Sequence, residues 1–97
     1  MVAYWIARVT VHDPEGYGEY AKRAGPAIEA HGGRFLARGG KHMPLEGRDH
    51  PRNVVVRFDS MEQALACYNS PEYQEALAFS KVSADRDVCI VDGVEEG

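Results

Sequence analysis

The sequence predicts an α+β domain in which four strands and two helical regions follow one another in the order βαββαβ. Three observations support this class. Four segments rich in β-branched and aromatic residues have the length and alternation of strands. Two longer segments carry apolar residues every three or four positions behind a helix-start sequence. Glycine pairs and prolines separate the segments, and the 97 residues predict one domain, residues 1–97.

The first predicted strand is Ala3–Val11. Side chains of a strand alternate between its two sides. One side carries Trp5, Ala7, Val9 and Val11, and the other carries Tyr4, Ile6, Arg8 and Thr10.

The first predicted helix begins at the sequence His12-Asp13-Pro14-Glu15. Asp13 can cap the helix, and Pro14 suits its first position. Pro26 cannot donate to the carbonyl of Lys22, so we expect a kink or a brief break there. The pair Gly32-Gly33 predicts the end of this helix.

Two further strands follow, Arg34–Arg38 and Arg52–Phe58, with a loop over Lys41–Pro51 between them. The pair Gly39-Gly40 is expected to end the first of these strands or to form a bulge in it. In the second strand, Val54, Val56 and Phe58 share one face, and Asn53, Val55 and Arg57 share the other.

The second helical region starts at Ser60-Met61-Glu62-Gln63, which fits a capping box. It restarts at Ser70, which we expect to cap a helix with Pro71 in its first turn. The last strand is predicted at Asp87–Asp92, followed by a polar tail, Gly93–Gly97.

This order is that of the ferredoxin-like split βαβ arrangement, a four-stranded antiparallel sheet with both helices on one face. The uncovered face carries Tyr4, Ile6, Asn53 and Val55 together with Arg8 and Arg57. Such a surface is too apolar to be left wholly to water. We therefore predict a homodimer in which two sheets pack face to face around a partly polar cavity.

Composition narrows the function classes. The net charge of -4 argues against a nucleic-acid partner, because phosphate binding needs a basic surface. No segment has the length of a membrane span or the pattern of a signal peptide, so the predicted location is the cytoplasm and no membrane partner is expected. Cys67 and Cys89 are isolated in apolar segments, and we expect both to be buried, reduced thiols.

Four segments together resemble a known bacterial family: YWIAR at 4–8, GGRFLARGG at 32–40, PRNVVV at 51–56 and ACYNSPEY at 66–73. The chain is similar to the domain of unknown function DUF1330, within the dimeric α/β-barrel superfamily. The resemblance implies the fold and dimerisation. The superfamily includes cofactor-independent monooxygenases, heme-degrading enzymes, lactone isomerases and effector-binding domains. DUF1330 itself has no agreed reaction, so the resemblance assigns no catalytic residue.

Basic residues are concentrated between positions 34 and 57, where six arginines and lysines face only two acids. This surplus could attract a small anion, such as a carboxylate or a phosphate. Within it, Arg38, Gly39, Gly40 and His42 form the sharpest candidate, since glycines allow backbone N–H groups to approach a ligand. His42 is the candidate acid or base. The alternatives are solvated arginines, a structural bulge and an ordinary loop histidine.

The open sheet face supplies a second group of candidates. Arg8 and Arg57 either pair with acids across the dimer interface or bind an anion, and Asn53 could orient that ligand or an oxyanion. Tyr4 and Trp5 could line a cavity for a flat aromatic compound, although core packing is the simpler role for both. The four histidines show no metal-ligand spacing, so no metal site and no cofactor is predicted.

Two hypotheses of function remain open. In the first, the protein is a cofactor-independent oxygenase or isomerase that acts on a small anionic or aromatic metabolite. Arg38, Arg8 and Arg57 would bind the anion, and His42 or Asn53 would assist proton movement as the catalytic residue. In the second, it is a non-catalytic module for dimerisation or ligand sensing, whose cavity is filled by side chains and whose arginines are paired with acids.

Overall fold

The computed structural model describes residues 1–94 and has the predicted ferredoxin-like architecture. Its strands are β1 (Ala3–Val11), β2 (Arg34–Arg38), β3 (Arg52–Phe58) and β4 (Ala84–Asp92), and its helices are α1 (Pro14–Ala30), α2 (Met61–Tyr68) and α3 (Pro71–Ser83). The antiparallel sheet has the order β2-β3-β1-β4. All three helices lie on one face of it.

The helix-facing side of the sheet forms the core. In β1 and β3, burial alternates with strand parity: Trp5, Ala7 and Val9 are buried, as are Val56 and Phe58. Trp5 stacks on Phe58 and meets Tyr73 edge-on, with ring centroids 5.9 and 5.0 Å apart. The parity predicted from the sequence is therefore confirmed, and it places the other half of each strand on the open face.

Two of the predicted caps are present. The Ser60 and Ser70 hydroxyls accept hydrogen bonds from the backbone N–H groups of Gln63 and Tyr73. The capping box is only half formed, because the Gln63 side chain donates to the His31 carbonyl at 2.7 Å instead of reaching back to Ser60. That bond ties the start of α2 to the end of α1.

The prediction that Asp13 caps α1 is wrong, because its side chain makes no capping bond. The backbone N–H groups of His12 and Asp13 instead both donate to the Ser83 carbonyl at 3.0 Å, so the end of α3 holds the entry to α1. The expected break at Pro26 is also absent, and α1 is one continuous helix. Pro26 is exposed, so water can reach the carbonyl that the proline leaves unbonded.

Three further details differ from the predictions. β2 ends at Arg38, directly before the glycine pair as expected, but it also has an irregularity between Phe35 and Ala37 that was not predicted. β4 begins at Ala84, three residues early, because it pairs with the whole of β1. Cys67 is buried as expected, but Cys89 is exposed. Residues 95–97 of the predicted polar tail lie outside the described residues.

Candidate functional site

Three arginines meet on the helix-facing side of the sheet, at the end where β1 leads into α1. The register pairs Val9 with both Arg52 and Arg86, so these three residues form one row across β3, β1 and β4. Val9 is fully buried beneath the helices, and parity directs its two neighbours in the row to the same side. Arg38 stands opposite Val54, one row further along.

Arg86 is held by hydroxyl groups. Its guanidinium donates to the hydroxyls of Tyr20 and Tyr73, both at 3.1 Å, and to Ser80 Oγ at 3.0 Å. It also lies 4.7 Å from the centre of the Tyr20 ring. Its Nε is buried and has no hydrogen-bond partner. None of these contacts supplies a negative charge, so the cation of Arg86 is solvated by the protein but not neutralised.

Arg52 and Arg38 have aromatic neighbours. The Arg52 guanidinium lies 5.8 Å from the centre of the Tyr17 ring, and its Nε is also buried without a partner. The Arg38 guanidinium stacks at 4.0 Å on Phe35. It also reaches α1 at Gly25, where a Cβ would lie 2.8 Å from its Nη2. The lack of a side chain at Gly25 thus makes room for Arg38.

The carboxylates of the described chain lie elsewhere. The ion pairs within residues 1–94 involve four histidines, one lysine and the arginines Arg23, Arg48 and Arg57. Arg38, Arg52 and Arg86 take part in none of them. On a chain with an overall charge of -4, these three side chains form a local cluster of uncompensated positive charge, which we call the arginine cluster.

The two tyrosines beside Arg86 add a further donor. Their hydroxyls lie 2.7 Å apart, and burial raises the pKa of each above its ordinary value, so both are neutral. One hydroxyl proton serves the bond between them, and within residues 1–94 the second has no acceptor. The unsatisfied groups of the site, namely this proton and two arginine Nε–H groups, are all donors. Such a set calls for a ligand that carries several acceptor atoms.

A narrow cavity of about 30 Å³ opens beside the arginine cluster, between α1 and the sheet. Its existence follows from small residues that face one another: Ala7 on β1 and Ala21, Ala24 and Gly25 on α1 all line it. Arg52 and Arg86 lie at one end of the cavity, and Arg38 extends along its side to Phe35 and Gly25. The opposite end is apolar, with Trp5, Ile28 and Val56 as walls.

The residues predicted from the sequence divide between the two faces of the sheet. Arg38 belongs to the arginine cluster, and Trp5, 1% exposed, is a core residue that also lines the cavity. Tyr4, Arg8, Asn53 and Arg57 lie on the open face. Gly39 and Gly40 follow β2, and the positive φ of Gly39 (70°) turns the chain into the loop. The predicted residues therefore do not form a single site.

On the open face, the predicted polar residues have partners within the chain. Arg57 pairs with Asp59 at 3.1 Å, and Arg8 donates to the Arg48 carbonyl at 2.9 Å. The Asn53 amide donates to the His50 carbonyl at 2.9 Å. His42 bonds Asp49 at 2.9 Å within the loop. The roles predicted for them in ligand binding and catalysis stay predictions.

The loop between β2 and β3 folds onto this face, and His50 anchors it. His50 is only 5% exposed. Its Nδ1 lies 3.0 Å from Thr10 Oγ1, and its Nε2 lies 3.0 Å from Asp87 Oδ2. Arg48 also bonds Asp87, at 3.1 Å. Since the carboxylate only accepts, Nε2 is the donor in the bond to Asp87. We call Thr10, His50 and Asp87 the loop anchor.

Sequence reasoning missed Arg52 and Arg86 as site residues. Arg52 has the parity of Val54 and Val56, so its position on the helix-facing side was available from the sequence. Arg86 has the parity of Val88 and Ile90, but it precedes the segment predicted as the last strand. The hydroxyl partners of Arg86 come from α1 and α3, and no sequence pattern indicates that they meet.

Within residues 1–94, no helix is long and apolar enough to cross a membrane, and no three His, Cys, Asp or Glu side chains are grouped as a metal site. The cytoplasmic location and the lack of a nucleic-acid partner stay predictions.

Comparison with known proteins gives a family and a fold. The model of the domain of unknown function DUF1330 matches residues 2–94. No curated protein matches the chain. Among solved structures, a protein of unknown function from Rhodopseudomonas palustris, RPA0582, is 17% identical with a TM-score of 0.78, covering 98% of this chain and 84% of its own.

Two further structures share the fold at lower similarity. SnoaB, a cofactor-independent oxygenase from Streptomyces nogalater, is 12% identical with a TM-score of 0.63, covering 98% of this chain and 95% of its own. Rv0793 from Mycobacterium tuberculosis is 16% identical with a TM-score of 0.59, covering 99% of this chain and 98% of its own. At these identities the likeness concerns the fold alone.

Proposed function

The chain belongs to the DUF1330 family, whose description states no function, and from the site itself we propose that the protein binds a small organic anion in the cavity between α1 and the sheet. One observation carries the proposal: the guanidinium of Arg86 is held only by neutral hydroxyls, and its buried Nε has no partner.

The energetic argument concerns the charge of Arg86. A charge removed from water is costly unless a counter-charge and hydrogen bonds compensate it. Hydroxyls supply the hydrogen bonds, but the counter-charge is missing among the described residues. Arg52 repeats the pattern, with a second buried and unpartnered Nε. An anion with two or more acceptor oxygens supplies the missing charge and satisfies the free donors at once.

The size of the cavity limits the ligand. Pockets that enclose drug-sized molecules have about 300–1,000 Å³, whereas this cavity has about 30 Å³. It therefore suits a small compound and not a polycyclic one. The alternative predicted from the sequence, a module with a filled cavity and arginines paired to acids, accounts less well for the arginine cluster. Catalysis by His42 or Asn53 on this ligand has little support, because neither residue lines the cavity.

Thermal unfolding in the presence of sodium acetate, benzoate, phosphate and sulfate, at one ionic strength set with chloride, tests the proposal. A ligand at 100 times its Kd stabilises the folded state by about 2.7 kcal/mol, and each kcal/mol raises the Tm of a domain of this size by about 4–8 °C. We expect at least one of these anions to raise the Tm above that in chloride.

The matched variants are Arg86→Met and Arg34→Met. Met retains the length of the side chain and removes the uncompensated charge, so Arg86→Met should fold but lose the stabilisation by the anion. Arg34 is an exposed arginine on β2, and Arg34→Met should respond like the wild type. Arg52→Met replaces Arg86→Met if that variant does not fold. If no anion raises the Tm of the wild type, or if Arg86→Met (or Arg52→Met in its place) is stabilised by the anion as much as the wild type is, the proposal is wrong.

We also propose that the protein is a homodimer that pairs through the open face of the sheet. The face carries an apolar patch, which we define as Tyr4, Ile6, Val55, Cys89 and Val91, neighbours in the register of β3, β1 and β4. Val91 is 47% exposed and Cys89 is exposed. The described chain is only 17 Å thick along its shortest axis, as expected for one helix layer on one sheet. A second copy on the patch would cover it.

A further inference from the structure

Building on the proposed function, we infer that the anion is a monocarboxylate with a short apolar tail of about one or two carbons, and that the tail points into the protein above Ala7. The inference comes from the two unlike ends of the cavity and from its size.

The register of the sheet gives the cavity its polarity. The outer row across β3, β1 and β4 is Arg52, Val9 and Arg86. The next row contains Val54 and Ala7, with Arg38 at its edge, and the third contains Val56 and Trp5 with Phe35. Arg52 and Arg86 therefore lie at one end of the cavity and Arg38 lies along its side over Phe35, whereas the end formed by Trp5, Ile28 and Val56 offers only apolar walls.

This polarity selects the class of anion. A phosphate or a dicarboxylate carries acceptor oxygens on more than one side, so some of them would be buried against Trp5 and Val56 without a donor, at a high cost in free energy. A monocarboxylate has its two oxygens at one end. Those oxygens can meet the guanidinium groups of Arg52 and Arg86, which line the cavity, while the remainder of the molecule has no polar atom to satisfy.

The volume limits the tail. A water molecule requires roughly 10–15 Å³ when cavity volume is measured with a water-sized probe, and this cavity has about 30 Å³. It therefore accommodates one or two groups the size of a methyl. Ala7, Ala24 and Gly25 set this limit, since larger side chains at these positions would fill the space. A benzene ring does not fit without displacement of α1.

The test is a titration of the wild type with acetate, propionate, benzoate and inorganic phosphate at constant ionic strength. Trp5 is the only tryptophan and it lines the cavity, so its fluorescence reports entry of the tail separately from the effect of charge. We expect propionate to bind about fourfold more tightly than acetate, as one additional buried methylene predicts, and to change the emission of Trp5. Phosphate and benzoate should both bind more weakly than propionate.

Each other outcome has a distinct meaning. If phosphate binds as tightly as propionate, the monocarboxylate class is wrong while the anion site itself stands. If benzoate binds as tightly, the size limit is wrong. If propionate saturates the protein without a change in Trp5 emission, the tail does not enter the cavity. If none of the four anions binds, both this inference and the proposed function fail.

A pair of variants tests whether the apolar tail of the ligand occupies the cavity above Ala7. Ala7→Val adds two methyl groups at the floor of the cavity, on a strand where Val is favourable, and should abolish the fourfold preference for propionate while acetate still binds. Ala24→Val fills the same space from α1 and serves if Ala7→Val does not fold. Ala66→Val, at an exposed position of α2, is the control and should retain the preference. A preference for propionate that persists in both cavity variants would overturn the inference.

Discussion

Six of the eight arginines fall into two classes according to the partners of their guanidinium groups. Arg23, Arg48 and Arg57 meet carboxylates at 3.0 to 3.1 Å on the surface, where such pairs contribute about 0–1 kcal/mol to stability. Arg38, Arg52 and Arg86 contact aromatic rings instead, and Arg86 also donates hydrogen bonds to three hydroxyl groups. The residue type is the same in both classes. Arg23 lies on α1, Arg48 in the loop and Arg57 on the open side of β3, whereas the members of the arginine cluster lie on the helix-facing side of the sheet.

Cys67 illustrates a residue whose titration depends on burial. Burial raises the pKa of its thiol from 9.0 to about 11. Below pH 9 the thiol is protonated in both the folded and the unfolded chain and has no effect on pH dependence. As the pH rises from 9 towards 11, the unfolded chain releases the proton and the folded chain retains it, so the free energy of unfolding falls.

We predict that Cys67→Ala reduces this alkaline loss of stability. A difference of about two pKa units corresponds to at most about 2–3 kcal/mol between pH 8 and pH 11. Urea unfolding at a series of pH values measures it. Tyr20 and Tyr73 also have raised pKa values. The free energy of unfolding of the variant should therefore still fall with rising pH, but less steeply than that of the wild type. Ala66→Val, at an exposed position of α2, changes no titrating group and is the control; equal pH dependence of the free energy of unfolding for all three proteins would contradict the prediction.

Among the connecting elements, the loop from Gly39 to Pro51 links the two faces of the sheet. It starts directly after Arg38 and ends directly before Arg52, two members of the arginine cluster. On the open face, its last turn is held by the loop anchor and by the bond from Asn53 to the His50 carbonyl. One buried histidine therefore fixes a loop whose two ends position the arginines on the other side.

We predict that His50→Ala loosens this loop. The variant loses the hydrogen bonds to Thr10 and Asp87 and leaves a cavity, which should lower the free energy of unfolding by about 1–3 kcal/mol. Hydrogen exchange followed by mass spectrometry should show that, relative to the wild type, exchange is accelerated more in residues 39–51 than in α1 or α3. His42→Ala is the control, since His42 bonds only Asp49 within the loop and its loss should cost less than about 1 kcal/mol. Equal effects of the two substitutions would argue against the role of His50.

The elements themselves were largely predictable from the sequence. Ser60 and Ser70 carry cap chemistry that is local to a few residues, and both caps formed as predicted. Asp13 did not form one, because its backbone is held by the Ser83 carbonyl from a distant part of the chain. β4 starts early for a similar reason: Ala84, Asp85 and Arg86 have little strand preference of their own, but β1 offers them a complete pairing edge.

Within residues 1–94, the helices lie on one face of the sheet and none lies on the other. The loop covers part of the open face near Arg8 and Thr10, which leaves the apolar patch at the other end. A sheet face of this kind buries its apolar residues when a second sheet packs on it at about 10 Å. This arrangement would also bury Cys89, the thiol that the sequence predicted to be buried.

We predict that the wild type sediments as a dimer and that Ile6→Asp sediments as a monomer. Ile6 lies at the centre of the patch, opposite both Val55 and Cys89, and a carboxylate there would be desolvated without a partner. Analytical ultracentrifugation at micromolar concentration measures the change. Val82→Asp, on the exposed side of α3 (74% exposed), is the control and should remain a dimer. A well-folded wild-type monomer at high concentration would refute the homodimer but not the anion site.

The sequence alone determined the order of the elements, the parity of the strands, two helix caps and an apolar open face, because alternation, capping and turn formation depend on neighbours in the chain. Only the tertiary structure decided which basic residues form a site. Arg38, Arg52 and Arg86 come from three strands, their partners Tyr20, Tyr73 and Ser80 come from two helices, and whether an acid reaches them depends on packing. Charge compensation is a property of three-dimensional neighbours, so it could be established only once the fold was known.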